Sequence, residues 1–207
     1  AGRRKLWIVV NTLILVVICA ACFFVYPDPS YLWFGAILIA GMSVVGEFAG
    51  VNYNAVLNQI STKATVGKVS GFGWGMGYVG GILALALVLF LFVQPIVEWP
   101  GANTDESLNL RWVAIFSAAW CLLFALPLFF VIPEAPPSIS TKIPLAQTYK
   151  VLFNNIKELW RSDRNLLFFL CSSAVFRDGL AAIFTFGGVI AAGTFGFELT
   201  EVIIFAI

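Results

Sequence analysis

Three ionisable side chains, Glu47, Arg177 and Asp178, stand deep within long apolar runs of this 207-residue chain. If those runs lie in a bilayer, each charge costs about 2.5–3.5 kcal/mol on insertion scales. Such a cost is tolerated along a water-lined path for a substrate or a proton, or in an ion pair that locks two helices together. Arg177 and Asp178 are neighbours, so on a helix they point about 100° apart. Each therefore needs a partner or a cavity of its own. Asp178 shares a face with Cys171 and Thr185, while Arg177 lies over Ser173. Asn54 and Asn58 follow Glu47 by seven and eleven residues, which returns them to within about 20° of its face. With Ser43 close to that line, a polar stripe runs from mid-span to one mouth. Glu47, Asn54, Asn58, Arg177 and Asp178 are the candidate pathway residues.

Other chemistries find little to work with. The chain has no histidine, which removes the commonest metal ligand and the commonest general base. No metal site and no cofactor site is read from it. Cys19 and Cys22 fit C-x-x-C, but a redox pair needs an electropositive, partly exposed thiolate at a helix start. These two lie in an uncharged run, and Cys121 and Cys171 are also set among apolar residues. All four read as small hydrophobes. Without histidine or acidic clusters at helix ends, an enzyme is not expected.

The elements that must hold these residues follow from composition. The chain is 60% hydrophobic and 11% charged, with mean hydropathy +0.94. A soluble domain carries about 25% charged residues, so this one has too little polar surface to cover a globule in water. A helix needs about 20 apolar residues to cross roughly 30 Å of hydrocarbon. Five runs have that length, at 6–26, 31–54, 69–93, 109–132 and 166–193, and a sixth opens near Thr200. Net charge is +1, so no basic field points to nucleic acid. The partners expected are the lipid bilayer and a small-molecule substrate, with a proton or other ion.

Charge in the links alternates. Arg3, Arg4 and Lys5 precede the first span; Lys63 and Lys68 lie in 58–68; Lys142, Lys150, Lys157, Arg161 and Arg164 lie in 133–165. Residues 94–108 carry Glu98, Asp105 and Glu106 without Lys or Arg, and Pro27, Asp28, Pro29 and Ser30 form a tight uncompensated turn. The positive-inside rule makes the three basic segments, the N-terminus included, cytoplasmic. Arg111, near the other end of its span, is expected to snorkel to the headgroups. Within 133–165, Leu145, Tyr149, Leu152, Phe153, Ile156, Leu159 and Trp160 recur at helical spacing with the cations off that stripe. That is a basic amphipathic helix at the membrane surface or against helix ends, with an irregular approach through Pro133, Pro136, Pro137 and Pro144. A simple interfacial connector is its expected role.

The run VSGFGWGMGYVGG (69–81) contains a G-x-G-x-x-G pattern. A dinucleotide turn needs a preceding strand and a helix in water. Here no strand pattern precedes, and a spanning run follows. A lipid-exposed linker is excluded because backbone groups there must be paired. The expectation is a glycine-lined helix, with Gly73, Gly77 and Gly81 four apart for close helix packing.

GEFAGVNYNAVLNQIS (46–61), followed by GKVSGFGWGMGYVGG (67–81), resembles the vacuole-effluxer-like permeases of the major facilitator superfamily. FRDGLAAIFTFGGVIAAGTFG (176–196) is similar to the segment after that family's central loop, and residues 2–5 resemble the tail of a loop motif of the superfamily. The resemblance implies an all-α integral membrane bundle of the major facilitator type. It implies an internal piece of a longer protein covering about helices three to eight of twelve. On that reading residues 1–132 belong to the N-terminal half, 133–165 to the central loop and 166–207 to the start of the C-terminal half. It further implies alternating access, a small polar solute such as an amino acid, and a bacterial plasma membrane. Arg177 stands before Asp178 where the family is expected to have an uncharged residue. The rival expectation is a non-transporting membrane sensor or scaffold in which the same charges only lock helices.

Overall fold

Apolar length and the need to pair every backbone group within the segment make helices of all the long runs. The computed structural model describes residues 4–96, 99–131 and 145–207. Arg3, Glu98, Lys142, Pro133, Pro136, Pro137 and Pro144 lie outside the described residues. Among these residues seven α-helices follow in order: α1 (Arg4–Ala21), α2 (Leu32–Ile60), α3 (Val66–Val88), α4 (Leu108–Val131), α5 (Leu145–Ser162), α6 (Arg164–Phe195) and α7 (Leu199–Ala206). Among the described residues, five segments are long and apolar enough to cross a membrane: Lys5–Phe24, Pro29–Ile60, Val66–Val93, Asp105–Val131 and Arg164–Phe195. No strand occurs among the described residues, and the glycine run lies inside α3. The G-x-G-x-x-G pattern is therefore helix surface and not a nucleotide turn.

The chain forms two units, one holding α1–α4 and the other α5–α7. In the first, α1 is central and packs along both α2 and α4, whereas α3 meets its neighbours at few points. α2 continues past Asn54 to Ile60 because no glycine or proline interrupts residues 51–60. The turn before it is tied by Asp28, whose carboxylate accepts the Ser30 N–H at 2.8 Å. Hydrogen bonds from Ser30 hold this carboxyl below its ordinary range. Pro127 sits inside α4, where it can offer no N–H to the preceding turn.

Close approach occurs at Gly35 and Gly41 as well as at one of the spaced glycines, Gly73. A methyl on Gly35 or Gly41 of α2 would stand 3.4 Å from Val25 and 3.6 Å from Ile18, so these are the glycines that meet α1 and the turn after it. In α3, Gly73 has the Tyr53 hydroxyl 3.4 Å from such a position, while Gly77 and Gly81 have nothing within 4 Å among the described residues. The thiol of Cys19, half-buried, donates weakly to the Ala114 carbonyl of α4 at 3.5 Å. The four cysteines are unbridged.

In the second unit, Asp163 separates α5 from α6 in a non-helical conformation and caps α6 by accepting the Leu166 N–H at 3.0 Å. α6 ends at Gly196, whose φ of 71° suits glycine. The chain then folds back so that Val202 of α7 lies against Gly188 of α6.

Candidate functional site

Helix ends leave their last carbonyls without intrahelical donors, and in an apolar medium each must find one. One end of the first unit answers this with side chains. α1 tightens into a short 3₁₀ turn, Cys22–Phe24, and Arg111 of α4 donates from Nε to the Phe23 carbonyl at 2.6 Å. Its guanidinium carbon lies 3.7 Å from the Tyr26 ring centre and 4.6 Å from that of Phe23. α3 widens into a π turn, Leu89–Val93. There the Trp99 indole N–H donates to the Leu91 carbonyl at 2.7 Å, and the Asn109 amide donates to the Phe92 carbonyl at 3.1 Å. Rings of Phe23, Trp112, Trp99, Phe92, Phe116 and Trp120 form a continuous chain of edge and tilted contacts around these bonds.

Arg111 thus corrects the sequence expectation. It is only 8% exposed and does not snorkel. A headgroup is not needed where a freed carbonyl and two aromatic faces already satisfy the cation. Four buried polar residues stand out in this unit: Asn11, Thr12, Asn109 and Arg111. Among the described residues, no buried side-chain nitrogen or oxygen lacks a partner. Reading only charges inside spans missed Asn11 and Thr12, although a lone amide in an uncharged run carries the same kind of signal.

Gly101 shows how tightly this end is built. It is buried, and a methyl there would overlap the Trp99 indole. Gly101→Ala is expected to destabilise the protein by about 1–3 kcal/mol through overpacking, with loss of the Trp99–Leu91 hydrogen bond. Thermal unfolding in detergent measures it. In a Trp99→Phe background the same substitution should cost much less; equal cost in both backgrounds would remove the indole from the explanation.

The candidate pathway residues are placed differently. Glu47 is the sixteenth of the 29 residues of α2, and Arg177 and Asp178 are the fourteenth and fifteenth of the 32 of α6. All three are exposed within their own units, as are Asn54 and Asn58. On α2, Glu47 lines an open groove of about 380 Å³ with Ser43, Val44, Phe48 and Val51. Ser43 turns its hydroxyl back to the Ile39 carbonyl at 3.0 Å. Asn52, off the stripe, bonds the Phe48 carbonyl at 2.8 Å. The fold brings Glu47, Asn54 and Asn58 onto one helix. It puts Arg177 and Asp178 on another helix, in the second unit.

A model of the family described as "Vacuole effluxer Atg22 like" matches residues 58–207. Asn58, Arg177 and Asp178 fall within the match, whereas Glu47 and Asn54 precede it. An uncharacterized MFS-type transporter of Bacillus subtilis, YxiO, is 26% identical over 163 residues, covering 76% of this chain and 36% of the relative. The nitrate/nitrite transporter NarU of Salmonella typhimurium is 30% identical over 123 residues, covering 58% of this chain and 26% of the relative. The matches thus span about a third and a quarter of these relatives' lengths. No solved structure matches at significant similarity. The relatives are transporters and not enzymes. A chain whose described residues hold no strand and five membrane-length apolar segments, matched over most of its length, belongs to the vacuole effluxer Atg22-like family of permeases, of the major facilitator type.

Proposed function

We propose that the whole protein is a secondary active transporter that moves a small polar solute across a membrane by alternating access. The observation that carries this reading is the placement of Glu47, Arg177 and Asp178 near the middles of apolar helices, exposed within their units and not consumed by local packing. Membership of the effluxer-like family supports it. A guanidinium such as Arg177 suits the anionic group of a solute. Glu47 and Asp178 suit a proton, another cation or an ammonium group. An amino acid would engage both signs of charge. Nitrate, the solute in the name of the Salmonella relative, would engage the arginine alone.

In this reading α1–α4 belong to the first half of the bundle and α6–α7 to the second. The N-terminal basic residues, 58–68 and 133–165 face the cytoplasm of a bacterial plasma membrane. The Gly73, Gly77 and Gly81 face of α3 would admit a further helix of the whole protein. Asn54 and Asn58 would extend the path from Glu47 toward the cytoplasmic mouth.

The test is flux in proteoliposomes holding the whole protein, with an imposed pH gradient and labelled amino acids and nitrate assayed side by side. Gradient-driven accumulation of either supports the transporter and names its solute class. Folded protein without flux of either would move the solute to another class, and no flux across a broad panel of labelled small polar solutes would overturn this reading in favour of a sensor or scaffold.

A further inference from the structure

We infer that α5 is a surface anchor seated on anionic lipid headgroups, a role beyond that of a connector and independent of which solute is carried. Tyr149, Leu152, Phe153, Ile156 and Trp160 are all exposed, and at 100° per residue they fall within about 100° of arc. Three of the helix's four charged residues are basic: Lys150, Lys157 and Arg161. These lie within about 40° of one another along one border of the apolar stripe. Glu158, the single acid, lies about 60–100° further round from these cations, opposite the centre of the apolar stripe.

The depth of the helix is set by its C-terminal end. Arg164 donates from Nε to the Trp160 carbonyl at 3.3 Å, and its guanidinium lies 5.1 Å from the Trp160 ring centre. The Trp160 ring is 6.1 Å from that of Phe168 in the first turns of α6. The last turn of α5 is thereby pinned where a membrane-length helix begins, at the level tryptophan prefers between hydrocarbon and water. From that point an exposed apolar face can enter the acyl boundary while lysine and arginine stems lie along it. Their charged heads then reach the phosphates, and the one-sided border of cations favours lipids that carry net negative charge.

The whole protein, with its native cysteines replaced, would be reconstituted in vesicles of phosphatidylcholine alone or with added phosphatidylglycerol. A nitroxide at Ile156→Cys reports the apolar face. One at Asn154→Cys reports the polar face, about 160° around the helix. The Ile156 label should be relaxed by oxygen and shielded from an aqueous nickel chelate, more so with phosphatidylglycerol; the Asn154 label should show the reverse. Reversing Lys150, Lys157 and Arg161 to glutamate should lower the oxygen-to-nickel ratio at Ile156 roughly tenfold in the anionic vesicles, and little in the neutral ones. An Ile156 label shielded from both reagents would show the face packed on protein and overturn the inference. So would nickel access to both faces, or unreversed protein indifferent to lipid charge.

Discussion

Asp178→Asn and Arg177→Ala are each expected to reduce solute flux by the whole protein at least about 100-fold, equivalent to about 2.7 kcal/mol of lost interaction. The direction of the accompanying stability change separates the possible causes. Removing a charge from the middle of a spanning helix relieves an insertion cost of about 2.5–3.5 kcal/mol, so membrane insertion should be undiminished. A flux loss with normal insertion and unchanged thermal unfolding therefore places the residue on the path. If the charges only locked helices, each variant would lower the unfolding temperature and leave flux per folded molecule near wild type. Wild-type flux in both variants would remove these residues from the pathway. Glu47→Gln, assayed alongside, shows whether the midpoint of α2 belongs to the same path.

Arg111→Leu is expected to destabilise the first unit by about 2–4 kcal/mol. A hydrogen bond to a charged donor contributes about 1.5–3 kcal/mol. A desolvated cation over an aromatic face contributes about 2 more. Part of that sum is offset because leucine has no charge to desolvate, and the remainder is the net loss. Arg111→Lys should fall between, since an ammonium lacks the planar face that lies on Tyr26. Tyr26→Leu alone should cost about 1–2 kcal/mol, and the double variant less than the sum of the two. Thermal unfolding of the four proteins in detergent closes the cycle. Strict additivity would show that the 3.7 Å approach of cation and ring contributes nothing.

The contrast between these two sets of residues marks what could be read along the chain. Glu47, Arg177 and Asp178 are visible in one dimension because a charge within an apolar run is costly wherever the run ends up. The bonds of Arg111, Trp99 and Asn109 to helix-end carbonyls are not, because Arg111 meets a carbonyl 88 residues earlier in the chain. That carbonyl is free only because α1 ends in a tightened turn. Asn109 and Trp99 depend in the same way on the π turn that closes α3. The glycines differ for a related reason. Four-residue spacing shows that a neighbour could approach, as on α3, but the approach to α1 and the turn after it is made at Gly41 and Gly35 of α2.

By itself, then, the sequence determined the helical membrane class, the family resemblance and the amphipathic character of residues 145–162. Each of these depends on local apolar length, periodicity or motif, because a bilayer obliges every spanning segment to pair its own backbone. Only the tertiary structure decided that Arg111 is buried under Tyr26, that α1 is the central helix of its unit, and that Tyr149, Leu152, Phe153, Ile156 and Trp160 of α5 are exposed. Those outcomes depend on which helix end meets which side chain. In an apolar medium, that pairing is selected by unsatisfied carbonyls and ring faces brought together from distant parts of the chain.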